Sequence, residues 1–282
     1  MTEDEAAPAA VTGQGSRNLL TRVVAALVLA PVAVAIAYAG GGLWTALVTL
    51  VVIGLYVEWL MIVGAARHRL VVASGGVALA VAGLCLALGR IDASLLALAL
   101  GFAAVAVLSP ERRNWTAAGF GYAAATEMAS VLVRFDQIEG FVALMLVFLV
   151  VWATDIGGYF AGRGIGGPKL WPRVSPNKTW AGAAGGFAAS LVVAAGFAAF
   201  GLGRAGPLLL VSAVLSIASQ LGDLFESAVK RRFGVKDSGR IIPGHGGLLD
   251  RLDGFVAAIV LAAIFGFLRG GADGVGRGLM VW

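Results

Sequence analysis

The sequence has few charged residues, one cysteine and two histidines. Only 13% of its 282 residues are charged, against about a quarter in soluble domains. With 59% hydrophobic residues, the chain has too few polar groups to cover a surface that faces water. This excludes an ordinary soluble enzyme and a disordered protein. The single cysteine, Cys85, excludes an internal disulfide, and no zinc-site spacing is present.

Glycine and basic residues are the next features of the composition. The 41 glycines follow no Gly-X-Y period, which excludes collagen and is typical of closely packed membrane helices. The chain has 21 Lys and Arg residues against 16 Asp and Glu residues. In a membrane protein this excess predicts orientation, and we expect no nucleic-acid partner.

Nine apolar segments are close to the length that crosses a bilayer, about 20 residues for ~30 Å of hydrocarbon. The fifth is weakened by Glu127, and the ninth is short. The sequence therefore predicts an all-α polytopic membrane protein with about nine transmembrane helices. The predicted spans are residues 23–39, 43–63, 70–89, 93–109, 117–133, 140–158, 181–202, 206–227 and 254–268.

The basic residues predict the orientation of these spans. With nine spans, sixteen of the 21 Lys and Arg residues fall on one side and five on the other. The positive-inside rule then places the N-terminus in the cytoplasm and the C-terminus outside. We expect a multi-pass protein of the cytoplasmic (inner) membrane.

The sequence divides into three parts. Residues 1–16 are predicted to be a disordered tail, and 17–139 are expected to form a scaffold of about five spans. Residues 140–282 are predicted to form a catalytic membrane domain of about four spans. Polar residues concentrate in this last part, mainly in the cytoplasmic loops 159–180 and 228–253. We therefore expect a functional site that faces the cytoplasm.

Span eight carries a polar stripe. Its members recur at steps of three and four residues, which places them on one face of a helix that points into the bundle. An isolated carboxylate at the depth of Asp223 costs several kcal/mol or takes up a proton, so it needs a cation. The cation is either a basic side chain or a metal ion. The stripe comprises Ser212, Ser216, Ser219, Asp223, Glu226 with Ser227, and Lys230.

Three other carboxylates lie in or near predicted spans. Asp155, at the cytoplasmic end of span six, needs a cation for the same reason as Asp223. Glu58 lies near the cytoplasmic end of span two, where we expect its side chain to extend to the interface. We expect structural roles for Glu58 and Glu127.

The loop 159–180 contains the string SPNKT, which predicts a turn followed by a helix start. Ser175 precedes Pro176, and Asn177 is expected to cap the turn that leads into span seven. Backbone N–H groups at a helix start, next to Lys178 and Thr179, would form an anion site. The alternative is a basic cytoplasmic loop with no ligand.

The loop 228–253 contains His245 between glycines, and Gly246 and Gly247 allow a close approach of the backbone to a ligand. Attraction to anionic lipid explains its basic residues, but not Asp250 and Asp253. Carboxylates beside Lys and Arg suit Mg²⁺ shared with phosphates. The composition therefore indicates phosphoryl or nucleotidyl transfer on a phosphorylated lipid.

Residues 227–253 read SAVKRRFGVKDSGRIIPGHGGLLDRLD. This string resembles the signature of the phosphatidate cytidylyltransferases (CDP-diacylglycerol synthases) at every fixed position. The segments TDIGGYFAGR and SPNKTWAG, at 154–163 and 175–182, are similar to another stretch of that family. The resemblance covers about 150–254 strongly, whereas the N-terminal half matches only as hydrophobic spans.

The resemblance implies that CTP and phosphatidate give CDP-diacylglycerol and pyrophosphate. It also implies Mg²⁺ on Asp223 and Asp250, a monovalent cation such as K⁺, and a homodimer. Asp155, Asp237 and Asp253 are candidates for holding the second cation or for orienting the basic residues.

The expected substrate contacts come from several segments. His245 is expected to contact a phosphate, and the Gly246 and Gly247 amides to form a small anion nest. The proposed catalytic residues are Asp223, Lys236, His245, Asp250 and Arg251. The proposed substrate-binding residues are Ser175, Asn177, Lys178, Thr179, Ser219, Ser227, Lys230, Gly246 and Gly247.

Two alternatives belong to other classes of function. A CTP-dependent polyprenol or dolichol kinase would transfer the γ-phosphoryl group and release CDP. An ion-coupled transporter with Asp155 and Asp223 on its path would move a substrate without turning over CTP.

Overall fold

The computed structural model describes residues 30–239 and 246–282. The predicted tail at 1–16, the first part of span one and His245 lie outside these residues. The described chain is almost entirely helical, with one small hairpin between its sixth and seventh helices. Its elements are α1 (Ala30–Ala39), α2 (Gly41–Ile62), α3 (Arg69–Ala87), α4 (Ile91–Leu108), α5 (Arg113–Phe135), α6 (Gly140–Gly164), β1 (Lys169–Trp171), β2 (Ser175–Thr179), α7 (Trp180–Ala199), α8 (Ala205–Arg232), α9 (Leu249–Gly270), a 3₁₀ turn (Ala272–Gly274) and α10 (Val275–Met280).

Seven helices in the described ranges are long and apolar enough to cross a membrane, namely α2, α3, α4, α6, α7, α8 and α9. This confirms a polytopic helical protein. Helix α5 has 23 residues and occupies the predicted fifth span, but it is not among the seven. Polar residues such as Glu127 and Arg134 dilute its apolar character.

Short connections make consecutive helices antiparallel neighbours, as expected for brief loops. Only residues 88–90 separate α3 from α4, and Gly89 has a φ of 72° there, which glycine adopts without strain. In the predicted catalytic domain, three helices extend five or six residues past the spans predicted for them. Helix α6 continues to Gly164, α8 continues to Arg232, and α9 begins at Leu249. Charged residues expected in loops are therefore on helices.

The segment after α6 differs from the expected loop. Strands β1 and β2 pair antiparallel, with Lys169 opposite Thr179 and Trp171 opposite Ser175. The predicted cap at Asn177 is wrong, because this residue lies within β2. Thr179 is the N-cap of α7, and its hydroxyl accepts a hydrogen bond from the Gly182 N–H at 3.0 Å. The expected helix start is confirmed, two residues later than the expected cap.

Helices α6 and α7 pack through glycines. A Cβ atom at Gly182 would lie 2.9 Å from the Gly158 carbonyl oxygen and 3.2 Å from the Thr179 hydroxyl. Gly157 has equally little room, since a Cβ there would lie 2.9 Å from the Gly185 oxygen. The absence of side chains lets the two backbones touch. This contact fixes β2 and the start of α7 relative to α6.

Asp136 joins the turn between α5 and α6 to the C-terminus. Its carboxylate accepts hydrogen bonds from the N–H groups of Ile138, Glu139 and Arg277, all at 3.0 Å. Burial disfavours the charged form, but these donors outweigh it and hold the pKa of Asp136 below its ordinary value. The carboxylate therefore fastens α10 to the bundle.

We expect Gly182→Ala to lower the free energy of unfolding by about 1–3 kcal/mol, the usual cost of overpacking. The added methyl group would meet the Gly158 backbone, which has no flexible atom to move. Gly196→Ala in the same helix is the matched control, because a Cβ there has no atom within 4 Å. Thermal unfolding in detergent checks this, and equal melting temperatures for the two variants would contradict it.

We expect Asp136→Ala to destabilise the protein at neutral pH by about 2 kcal/mol, because three N–H groups lose a charged acceptor. The pKa of Asp136 is lowered in the folded protein. Its contribution is therefore fully present above about pH 4, the ordinary aspartate pKa. That contribution is lost as the pH falls through the lower folded pKa.

Melting temperatures measured across this pH range test the expectation, with the exposed Asp273→Ala as control. A gap between wild type and Asp136→Ala that persists unchanged at pH 2–3 would contradict it.

Candidate active site

A cavity of about 860 Å³ lies among α6, α7, α8, α9 and the hairpin. It brings together nine of the residues that were selected from the sequence, although they come from three helices and a strand. These residues are Asp155, Asn177, Lys178, Thr179, Asp223, Lys230, Asp250, Arg251 and Asp253. Residues far apart in the sequence therefore share one polar chamber.

The charges that line this cavity balance. Four are carboxylates and four are basic side chains, so neither sign dominates the lining. The carboxylates are Asp155, Asp223, Asp250 and Asp253, and the basic residues are Arg163, Lys178, Lys230 and Arg251. A chamber of this kind can hold a metal cation and a polyphosphate together, because each finds groups of opposite sign.

Asp223 pairs with Lys178 of β2. The hairpin therefore supplies a cation for the polar stripe. Of the two alternatives given for Asp223, a basic side chain or a metal ion, the structure shows the basic side chain. The Ser227 hydroxyl, one turn further along α8, donates to the same carboxylate at 3.4 Å. Both Asp223 and Lys178 remain about 30% exposed to the cavity, so a ligand can reach them.

Lys230 lies between two carboxylates. Its ammonium nitrogen is 2.6 Å from Glu226 and 2.5 Å from Asp250. The Glu226 side chain is only 1% exposed, so its charge depends on this lysine for compensation. Lys230 joins α8 to the first turn of α9 and lines the cavity.

Asp250 also holds the backbone that precedes α9. Its carboxylate accepts hydrogen bonds from the Ser238 N–H at 3.0 Å and the Gly247 N–H at 3.1 Å. The structure differs from the expected anion nest. The Gly247 N–H donates to Asp250 and is not free to bind a phosphate. The turn before α9, residues 246–248, therefore donates a hydrogen bond to Asp250.

The serines of the polar stripe point into the bundle, as the spacing predicted. Ser212 and Ser216 are fully buried, and Ser219 is 1% exposed. The Thr154 hydroxyl donates to Ser216 at 2.9 Å, which joins α6 to α8 just below Asp155. Ser219 packs against Gly254, where a Cβ atom would lie 2.5 Å from its hydroxyl. Gly254 therefore makes room for Ser219 where α8 and α9 pack together.

Some predicted residues are not part of the cavity lining. Lys236 is exposed four residues after the end of α8, and Ser175 pairs with Trp171 of the other strand. His245 lies outside the described residues. The remaining members of this group are Ser219, Ser227, Gly246 and Gly247.

Sequence reasoning missed several lining residues. Arg163 and Tyr159 were assigned to a loop, but α6 continues through both, and Arg163 donates to the Tyr159 hydroxyl at 2.8 Å. Gln220 also lines the cavity and donates to the Ala183 carbonyl oxygen at 3.4 Å. An amide within an apolar span was the available signal for Gln220.

The carboxylates of the cavity fit a Mg²⁺ ion that is shared with substrate phosphates. In the part of the chain that the structure describes, no three Asp, Glu, His or Cys side chains form a cluster that could hold an ion unaided. Mg²⁺ commonly binds through one or two carboxylates together with substrate phosphates. The four cavity aspartates are donors of the required oxygen type, and Asp223 is accessible.

Comparison with known proteins agrees with the chemistry of this cavity. The profile of the cytidylyltransferase family matches residues 20–268. The chain belongs to the cytidylyltransferase family. It is similar to the phosphatidate cytidylyltransferases of Brucella suis and Brucella abortus, with 43% identity over 257 residues, or 88% of this chain and 93% of each relative. It is 44% identical to that of Staphylococcus haemolyticus over 176 residues, or 61% of this chain and 67% of the relative.

The family match covers both the cavity and the helices outside it. Residues 20–268 include α2 to α5, which carry no signature motif, as well as α6 to α8 and nearly all of α9. The cavity is therefore part of the cytidylyltransferase homology region.

We expect Lys230→Met to destabilise the protein by about 3 kcal/mol, the cost of removing one partner from a buried ion pair. Glu226 and Asp250 would then face each other without a cation. Adding Glu226→Gln should restore part of the loss, because it removes one of the two charges.

The exposed Arg232→Met, two residues later in α8, is the control for that measurement. Thermal unfolding compares the variants. A Lys230→Met protein as stable as Arg232→Met would show that the ammonium does not hold the two carboxylates.

Proposed function

We propose that the chain is a phosphatidate cytidylyltransferase, which converts CTP and phosphatidate into CDP-diacylglycerol and pyrophosphate. The observation that carries the proposal is its similarity to enzymes of that name over 93% of their length. The cavity with balanced carboxylates and basic residues supports it independently, because this reaction brings together two phosphorylated substrates and a cation.

The reaction requires an in-line displacement at phosphorus. A phosphatidate oxygen forms a bond to the α-phosphorus of CTP, and the bond between that phosphorus and the bridging oxygen to the β-phosphate breaks. Pyrophosphate leaves with the electron pair. A phosphate monoester is largely ionised at neutral pH, so the enzyme needs no strong general base.

The basic residues of the cavity would bind the phosphates. Lys178 and Arg251 reach the cavity from opposite sides, β2 and α9, and Arg163 reaches it from α6. Lys178 would exchange its contact with Asp223 for a phosphate oxygen when the substrate enters. Lys236 and His245 are proposed as further phosphate contacts, on the strength of the signature in which they occur.

Asp223 and Asp250 are proposed to hold Mg²⁺, with Asp155 and Asp253 near a second, monovalent cation such as K⁺. Bound Mg²⁺ offsets negative charge on substrate phosphates and on the departing pyrophosphate. Because Asp223 pairs with Lys178, this lysine would lie beside the bound cation, and Asp250 would keep the turn before α9 close to the cavity.

Large exposed apolar side chains lie within one or two residues of cavity-lining positions in α6 and the hairpin. Phe160, Ile165, Trp171 and Trp180 are each at least 50% exposed. Aromatic residues of this kind are typical of the membrane interface. They support a path by which the headgroup of phosphatidate enters the cavity while its acyl chains stay in the bilayer.

The finer topology is part of the same proposal. We infer nine spans in the inner membrane, with α1 belonging to the first and α5 forming the fifth, the N-terminus in the cytoplasm and the C-terminus outside. Basic residues concentrate in the hairpin and in the last turn of α8. By the positive-inside rule they support a cavity that faces the cytoplasm. A homodimer is proposed because glycine-rich and alanine-rich spans can pack closely.

The decisive experiment follows the label of CTP labelled at the α-phosphate, with purified protein, phosphatidate and Mg²⁺. We expect label in the lipid and release of pyrophosphate. Asp223→Asn should lower the rate about 100-fold or more, because it removes a carboxylate proposed to hold the Mg²⁺ that offsets charge on the reacting phosphates. Asp92→Asn, an exposed carboxylate paired with Arg90 far from the cavity, is the control.

The position of the label separates the alternatives. A polyprenol kinase would release the α-label as CDP and leave the lipid without it. If CTP remains intact with every phospholipid and polyprenol acceptor that is tried, this result would contradict the enzyme assignment and favour a transporter.

A further inference from the structure

Glu58 is a fully buried carboxylate in the N-terminal half of the protein. It lies on α2, near the helix end, and its exposed fraction is 0%. The expected extension to the membrane interface is therefore wrong. A buried carboxylate has to be satisfied by the protein, and its partners lie about 180–190 residues further along the chain.

Three donors converge on Glu58. The Leu248 N–H donates to Oε1 at 2.9 Å, and the Leu249 N–H donates to Oε2 at 2.8 Å. The Ser238 hydroxyl donates to Oε2 at 2.9 Å. All three partners are donors, which matches a carboxylate because it offers only acceptors.

The space around these contacts is shaped for them. A Cβ atom at Gly239 would lie 2.8 Å from Glu58 Oε1, and one at Gly247 would lie 2.7 Å from Oε2. One turn earlier in α2, a Cβ atom at Gly54 would lie 2.9 Å from the Leu248 side chain. The absence of side chains on both elements permits this approach.

The same turn is attached to the cavity through Asp250. The Ser238 hydroxyl donates to Glu58, and the Ser238 N–H donates to Asp250 at 3.0 Å. The Gly247 N–H also donates to Asp250, at 3.1 Å. Glu58 also accepts the N–H of Leu249, the residue immediately before Asp250. Glu58 and Asp250 therefore both bind Ser238 and the backbone at Gly247–Leu249.

We propose that Glu58 is a positioning residue for cytidylyl transfer: it holds the turn before α9, and through this turn sets the place of Asp250 in the cavity. The proposal rests on the proposed function. It assigns a role in the reaction to the N-terminal half, which carries no signature motif. A carboxylate suits this place, because the first N–H groups of a helix lack partners within it and favour negative charge.

The test compares Glu58→Gln with Glu127→Gln. Both residues are fully buried glutamates of the N-terminal half, and Glu127 contacts Thr49 of α2 at 2.8 Å, away from the cavity. Glutamine keeps the size but replaces one acceptor by a donor. We expect kcat per folded molecule of Glu58→Gln to fall about 10- to 100-fold, as for one or two lost hydrogen bonds to a charged group. Glu127→Gln should stay within about threefold of wild type.

Hydrogen exchange gives a readout that does not depend on turnover. In Glu58→Gln we expect faster exchange in peptides covering 246–252 and unchanged exchange in α6. Ser238→Ala, which removes one donor and leaves Glu58 in place, should show the same pattern with a smaller loss of kcat. The double variant should lose less than the product of the two single effects, because the residues share one contact.

The outcomes separate the two proposals. Unchanged exchange at 246–252 in Glu58→Gln, or a kcat per folded molecule equal to that of Glu127→Gln, would overturn the positioning role. A wild-type protein that transfers no cytidylyl group would overturn the proposed function, whatever the exchange shows.

Discussion

Charges placed inside a membrane bundle have to be neutralised there, because an uncompensated ion in a low-dielectric medium costs several kcal/mol. Here four carboxylates and four basic side chains line one cavity. Lys178 compensates Asp223, and Lys230 compensates both Glu226 and Asp250. The Lys178–Asp223 pair joins the hairpin to α8, and the Lys230–Asp250 pair joins α8 to α9. The neutralisation of charge therefore also determines how α8, α9 and the hairpin meet.

The same contacts explain how the cavity can serve nucleotidyl transfer. Side chains that pair with one another while no substrate is bound can pair with phosphates and a cation when substrates enter. Asp223 and Lys178 retain partial exposure, whereas Glu226 is buried and Lys230 nearly so. Asp223 and Lys178 can therefore exchange partners, whereas Lys230, which also pairs with Asp250, keeps α8 and α9 together. Glycine contacts between α6 and α7 hold Lys178 opposite Asp223.

Much of the fold was predictable, because a membrane helix needs about 20 apolar residues and this requirement is local. Helices occupy the predicted spans from α2 to α9. The polar face of α8 was predictable from its three- and four-residue steps. The hairpin was missed, because β1 and β2 are three and five residues long and alternate too little to reveal strands. The ends of α6 and α8 were missed, because charged residues were assigned to loops.

The sequence by itself determined which chemical groups the protein has, which spans carry them and, through the 27-residue signature, the family to which they belong. Only the tertiary structure decided which groups meet. Lys178 could have paired with any of several aspartates, and the structure selects Asp223. Glu58 had no visible partner in the sequence, and its donors lie 180 to 191 residues away. The periodicity of a sequence predicts neighbours one helical turn apart. The contacts of Lys178 and Glu58 depend instead on how separate helices and the hairpin pack.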